Sequence, residues 1–255
     1  MARANVTLSS VERSPQLYAR LGGSLYLAII LLGGFGELFV RGTLVVSGDP
    51  AATADSISHA QFLWRAGIAG DLLMHVCDVP VILILYFLLR PVSETLALLA
   101  TLINLVQTAV LVANKLNLLV PLFLLEDAGY LKAFSAEQLH ALSYLAIKAH
   151  GYGFGIGLIF FGVACLVRGC LMLRSGYFPK PLGVLMWVAG LSYLTNSFAL
   201  LLAPSFATSI LPGVLVPAFV GEMSVCLWLI AKGVNMAQWR QRVPSPRAHA
   251  ASSPP

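Results

Sequence analysis

The chain has 255 residues, of which 58% are hydrophobic and only 11% charged, with a formal net charge of +5. A soluble domain carries about 25% charged residues, so a mean hydropathy of +0.83 excludes an ordinary soluble enzyme. The basic residues are scattered over several short segments, which excludes a nucleic-acid-binding patch and makes the charge a topology signal.

A bilayer-spanning helix needs about 20 mostly apolar residues. Six stretches qualify: residues 21–40, 66–89, 96–116, 149–167, 182–202 and 213–230. They predict an all-α, polytopic membrane helix bundle. Residues 1–19 form a cytoplasmic segment, 20–233 the six-helix domain, and 234–255 a cytoplasmic tail. The Pro/Ser-rich end, 243–255, is expected to be disordered.

The first stretch is longer than the apolar core of a secretory signal, and no convincing small-x-small cleavage site follows it. It reads as a retained span. Glu37 sits about one turn below its outer end, and Arg41 follows four residues later, which predicts an i,i+4 pair at the interface. The second stretch carries Asp71, His75 and Asp78, with Trp64 ahead of it as an outer-belt aromatic. At about 100° per residue these three lie within an arc of roughly 60°, on a strip about 10 Å long.

The third stretch holds Asn104 and Gln107, then Asn114, Lys115 and Asn117 near its outer end. Lys115 either snorkels to the interface or pairs with a carboxylate inside. Residues 118–125, interrupted by Pro121, either extend this helix or lie in the interface. Ser135-Ala-Glu-Gln138 has the form of a capping box and starts the fourth helix before the bilayer. That helix carries Lys148 and His150. Gly151, Gly153, Gly155, Gly157 and Gly162 remove bulk from it and permit close helix contact.

Residues 168–181 read as a short cytoplasmic turn beginning at Arg168, marked by Ser175-Gly176 and two prolines. Tyr177 and Trp239 fit the inner aromatic belt. Tyr193 and Asn196 lie on the fifth span. Glu222 lies near the middle of the sixth, after Pro217 and Gly221, which can distort a helix and free its carbonyls. Cys77, Cys165, Cys170 and Cys226 fall in or at the ends of spans, so no disulfide framework is expected. Gly23-Ser-Leu-Tyr-Leu27 and Gly190-Leu-Ser-Tyr-Leu194 are alike, but they belong to spans one and five and do not make a three-plus-three inverted repeat.

Basic residues favour one side: Arg3, Arg13, Arg20, Arg90, Arg168, Arg174, Lys180, Lys232, Arg240, Arg242 and Arg247. The other side holds Arg41, Arg65 and Lys132. Both termini are therefore expected in the cytoplasm, with the protein in a bacterial cytoplasmic (inner) membrane.

An ionisable group at mid-bilayer costs about 2.5–3.5 kcal/mol and usually faces a protein interior or a hydrated cavity. Pairing or neutralisation is required. The candidate ligand-binding residues are Asp71, His75, Asp78, His150, Asn196, Glu222, Lys115 and Glu37. Three readings are open. The cluster binds or translocates an ion or small polar solute; or it is the metal site of a membrane-embedded hydrolase; or it only fixes helix packing in a structural or signalling protein. The metal candidates are His75, Asp78, His150 and Glu222. Asp71 and Asp78 are too far apart to share one ion unaided, and the chain has no H-E-x-x-H, C-x-x-C or G-x-S-x-G motif. No cofactor is indicated. The expected partners are the lipid bilayer and a small polar ligand or ion, with no nucleic acid; no oligomeric state follows.

Several motifs carry a family resemblance. They are residues 146–151 with Tyr152-Gly-Phe154, Arg174-Ser-Gly-Tyr-Phe-Pro179, Leu182-Gly-Val-Leu185, Ala189-Gly-Leu-Ser-Tyr193, and Gly221-Glu222 leading to Trp228-Leu-Ile-Ala-Lys-Gly233. Arg20-Leu-Gly-Gly23 and Asn114-Lys-Leu-Asn117 add to them. From about Arg20 to Lys232 the chain resembles the bacterial membrane family of the domain of unknown function 4386. The resemblance implies a multi-pass membrane protein and brings no catalytic residues.

Overall fold

The structure, a computed structural model, describes residues 14–243. The N-terminal segment before Ser14 and the stretch from 244 onward, including most of the expected disordered tail, lie outside the described residues. Among the described residues six helices are long and apolar enough to cross a membrane: Pro15–Leu44, Gln61–Leu89, Glu94–Leu124, Ala136–Ser175, Lys180–Leu202 and Gly213–Ala231. The protein is an all-α, multi-pass membrane bundle, and among the described residues there is no strand.

The first span is α1, Pro15–Gly34, continued by a π-helical segment, Phe35–Arg41, and a final turn, Gly42–Leu44. A short helix, α2 (Pro50–His59), connects it to α3 (Gln61–Leu89). The third span is α4 (Glu94–Asn114), joined through Lys115 to α5 (Leu116–Leu124). The piece around Pro121 therefore extends the third helix. The remaining spans are α6 (Ala136–Ser175), α7 (Lys180–Leu202) and, after the short α8 (Pro204–Ile210), α9 (Val216–Ala231).

Local chemistry sets the ends. Ser135 and Gln138 form the expected capping box at the start of α6. Gly176, at φ +77, stops the same helix in the left-handed conformation that glycine adopts without a Cβ penalty. Ser93 caps α4 by accepting from the N–H of Leu96 at 3.4 Å.

The spans pack in sequence order around a closed ring: α1 on α3, α3 on α4, α4 on α6, α6 on α7, α7 on α9, and α9 back on α1. The α6–α7 contact is the most extensive. There, antiparallel glycines face one another. A Cβ on Gly162 would lie 2.9 Å from the carbonyl oxygen of Gly190, and one on Gly190 would lie 2.7 Å from that of Gly162. Gly169 and Gly183 repeat the arrangement at 2.7 and 2.9 Å. Between them Trp187 Nε1–H donates to the Leu166 carbonyl at 2.9 Å. Small residues let these backbones touch, so dispersion replaces the hydrophobic effect that lipid does not supply between helices.

Two apolar clusters bracket the ring. One, at the end that holds both described chain ends, includes Leu88, Leu171, Met172, Tyr177, Leu229 and Trp239. The other, at the far end, includes Val40, Leu44, Ile57, Trp64, Leu118 and Leu122. Trp64, Tyr177 and Trp239 are thus not belt residues facing headgroups. All three are at most 2% exposed. Trp64 Nε1–H donates to the Leu118 carbonyl at 2.8 Å, and Tyr177 donates to that of Leu88 at 2.6 Å. Burial pushes the Tyr177 hydroxyl above its ordinary value, which keeps it a donor. Trp239 stacks edge-on to Tyr177, 5.0 Å between centroids, from a final helix, α10 (Met236–Arg242). The segment read as tail from 234 onward is therefore folded as far as that helix. The Val234 N–H donates to Gln16 Oε1 at 3.2 Å and ties it to the start of α1.

Candidate functional site

Polar side chains fill the layer between the two apolar clusters, in two groups. The first lies toward the far end. The π-helical segment places Glu37 and Arg41 beside α3. Arg41 Nε donates to Glu37 at 2.8 Å, the predicted i,i+4 pair. The same guanidinium reaches across to Asp71, with Nη1 at 2.7 Å from Oδ2 and Nη2 at 3.4 Å from Oδ1. Lys115, at the α4–α5 joint, donates to Asp71 Oδ2 at 2.8 Å and stands 3.3 Å from His150 Nε2. Lys115 does not snorkel; it is 3% exposed. Asn114 closes the group by donating to the His150 carbonyl at 2.8 Å.

Close approach is what allows this. A Cβ on Gly36 would collide with the Asp71 carboxylate and stand 3.1 Å from Arg41 Nη2. The Glu37 side chain is 62% exposed, so its pair with Arg41 contributes about 0–1 kcal/mol. The buried Asp71, held by two cations, carries the energetics. Glu37, Arg41 and His150 border a cleft of about 300 Å³ beside this group.

The second group surrounds a cavity of about 140 Å³ at the centre of the ring. Every span contributes: Tyr26 from α1, Asp78 from α3, Gln107 from α4, Arg168 from α6, Tyr193 from α7 and Glu222 from α9. His75 also lines it, and Met74, Val81, Leu111, Phe154 and Phe161 supply apolar wall. Tyr26 donates to Glu222 Oε2 at 2.9 Å, and Tyr193 donates to Oε1. Thr108 donates to Asp78 Oδ2. Asn104 Nδ2 donates to Gln107 Oε1 at 2.6 Å. Asp78 and Glu222 are each half-buried. Two of the lining residues carry a buried nitrogen with no hydrogen-bond partner: Arg168 at Nη2 and His75 at Nε2. Both residues are 4% exposed.

The strip on α3 is thus divided. Asp71 belongs to the ion-pair group, Asp78 to the cavity, and His75 stands between them. Lys115, His150 and Glu37 join Asp71, whereas Glu222 joins Asp78 across the ring. Asn196 is buried on α7 with an unpartnered Oδ1 and joins neither group. Among the described residues no three His, Cys, Asp or Glu side chains are placed to hold a metal ion. The four metal candidates are split between the two groups, His150 with one and Asp78 and Glu222 with the other. Arg168 was missed. It reads as the first residue of a cytoplasmic turn, yet α6 continues to Ser175 and buries it. The apolar run Cys170-Leu-Met-Leu173 just after it is the signal that the helix does not end there. The missed partner of Asp71 is Arg41, whose helical neighbour Glu37 is satisfying enough to hide a second bond.

Comparison with known proteins fits this architecture. An uncharacterized protein of Archaeoglobus fulgidus is 30% identical over 173 residues, which span 67% of this chain and 86% of that protein. No solved structure matches the chain. Residues 21–233 match the model of the Domain of unknown function (DUF4386), which covers all six spans from the first glycines of α1 to the turn after α9. The chain belongs to the DUF4386 family.

Proposed function

We propose that the protein binds a small polar solute or ion in the cavity at the centre of its ring of spans. The observation that carries this reading is the pair of unpartnered, buried nitrogens, Arg168 Nη2 and His75 Nε2, on two residues that line the cavity. A network that only fixes helix register satisfies itself, as Asp71 does with Arg41 and Lys115. The central group does not. It leaves two nitrogens unpartnered and two carboxylates half-buried beside the cavity, at a depth where each orphaned polar group is costly. The ion-pair group is the structural member of the two; it fixes the far ends of α1, α3 and α4 relative to one another.

The cavity limits the solute. Drug-sized ligands occupy about 300–1,000 Å³, whereas a cavity of about 150 Å³ accepts a benzene-sized guest. A solute of a few heavy atoms fits; a nucleotide does not.

The test is thermal unfolding of the purified full chain in detergent with a panel of inorganic ions, short carboxylates, amines and amino acids. A ligand at a hundred times its Kd stabilises by about 2.7 kcal/mol, or roughly 5–10 °C for a chain of this size. Asp78→Asn should remove the shift while the variant still folds. A panel with no stabilising member overturns the reading.

We further propose that the end holding both described chain ends lies in the cytoplasm, in a bacterial cytoplasmic (inner) membrane. What supports this is the excess of basic residues there, namely Arg20, Arg90, Arg174, Lys180, Lys232, Arg240 and Arg242, even with Arg168 removed from the tally. A C-terminal reporter active only outside the cytoplasm overturns it.

A further inference from the structure

The cavity wall is chemically two-sided. Arg168 and His75 offer nitrogens with no partner. An always-protonated guanidinium is a donor only, and its fork matches a carboxylate. Asp78 and Glu222 offer the opposite. Ionised, their carboxylates accept only, Asp78 from Thr108 and Glu222 from Tyr26 and Tyr193, and each oxygen has a second lone pair to give. A simple anion would satisfy Arg168 and face two carboxylates. A simple cation would satisfy the carboxylates and leave Arg168 unpartnered. With all three groups ionised the wall carries both signs, so an isolated anion meets two like charges and an isolated cation meets the like charge of Arg168. A molecule that carries both signs a few bonds apart answers both sides at once, and the charge-assisted contacts at its two ends offset the cost of desolvating them.

The remaining wall agrees. Phe154 and Phe161 present aromatic surface, and an ammonium or alkylammonium group is stabilised over such faces. The volume of about 140 Å³ admits a molecule the size of a small amino acid and no side chain of any length.

Building on the solute-binding reading above, we infer that the ligand is a small zwitterion that joins a carboxylate to an ammonium group. The carboxylate lies against Arg168 and His75. The ammonium lies against Asp78 and Glu222.

An isosteric series separates the possibilities without any mutation. Alanine carries both groups, propionate lacks the ammonium, and ethylammonium lacks the carboxylate. Equilibrium binding of each to the purified full chain in lipid nanodiscs is measured by calorimetry. Alanine is expected to bind at least roughly 10- to 100-fold more tightly than either analogue, the effect of losing one charge-assisted hydrogen bond. Arg168→Gln should bring alanine down to the affinity of ethylammonium, and Asp78→Asn should bring it toward that of propionate. Arg168→Lys retains the charge and guards against loss of fold; it should keep part of the alanine affinity. If propionate or ethylammonium binds as tightly as alanine, the zwitterion inference is overturned and solute binding stands. The same holds if another solute of the panel binds while all three of these do not. If no solute binds, both fall together.

Discussion

Asp71 and Lys115 lie 44 positions apart and meet at 2.8 Å inside the bundle, with Arg41 donating to the same carboxylate oxygen at 2.7 Å. Asp71 is 1% exposed. One buried anion between two cations is an asymmetric arrangement, and the asymmetry has measurable consequences.

Asp71→Asn leaves buried Lys115 without a counter-charge and Arg41 with only the exposed Glu37. It should destabilise the protein by about 3–5 kcal/mol, the range for breaking a buried pair from one side. Lys115→Met should cost clearly less, since Arg41 still neutralises Asp71 and methionine fits the space. Chemical unfolding in micelles gives the order. Equal losses for the two variants contradict the assignment of Asp71 as the shared centre.

Gly36→Ala tests the same cluster without touching a charge. The added methyl collides with the Asp71 carboxylate and crowds Arg41. Overpacking of this kind costs about 1–3 kcal/mol. Gly34→Ala is the control, because nothing lies within 4 Å of its Cβ position. A Tm for Gly36→Ala equal to that of the control shows that the close approach is not required.

The α6–α7 seam predicts a pattern rather than a single value. Alanine at Gly162, Gly169, Gly183 or Gly190 meets a carbonyl oxygen of the facing helix at 2.7–2.9 Å. Each should lower Tm, by roughly 2–4 °C per kcal/mol of destabilisation. Gly151→Ala, with open space around its Cβ position, should leave Tm unchanged. Calorimetry of the five variants checks this. A loss at Gly151 matching that at Gly162 and Gly190 removes the seam from the account.

Tyr193→Phe and Tyr26→Phe each take one donor from Glu222. Either should cost about 1–3 kcal/mol, the cost of leaving a buried acceptor short of a partner. In a Glu222→Leu background both should become nearly neutral. A double-mutant cycle measures the coupling, and additive losses would sink the proposed contact.

The six spans were legible because lipid imposes one rule, an apolar run long enough to cross, and this chain obeys it six times. The start of α6 was legible because Ser135 and Gln138 form a local motif. What was hidden depends on which helices adjoin. Arg41 reads as the partner of Glu37 because four residues separate them, and only the ring order shows that Asp71 is also in reach. Arg168 reads as topology because charge near a span end usually is. Trp64, Tyr177 and Trp239 read as belt aromatics by position, and only packing reveals that each is an internal wedge. The polar groups of α3 were identified correctly, but their division between two neighbourhoods needed α1, α4 and α9 in place.

The ring closes with the last span against the first, and this bears on how the protein is made. Glu222 travels on the final span, and its donors, Tyr26 and Tyr193, wait on earlier ones, Tyr26 separated from it by 196 positions. Until α9 arrives, the interior is a five-walled trough whose open side faces lipid. The final span therefore brings a carboxylate into hydrocarbon and the surface that shelters it in a single event. A ribosome stalled before α9 emerges should hold a bundle in which Tyr26 and Tyr193 still lack the acceptor that Glu222 supplies.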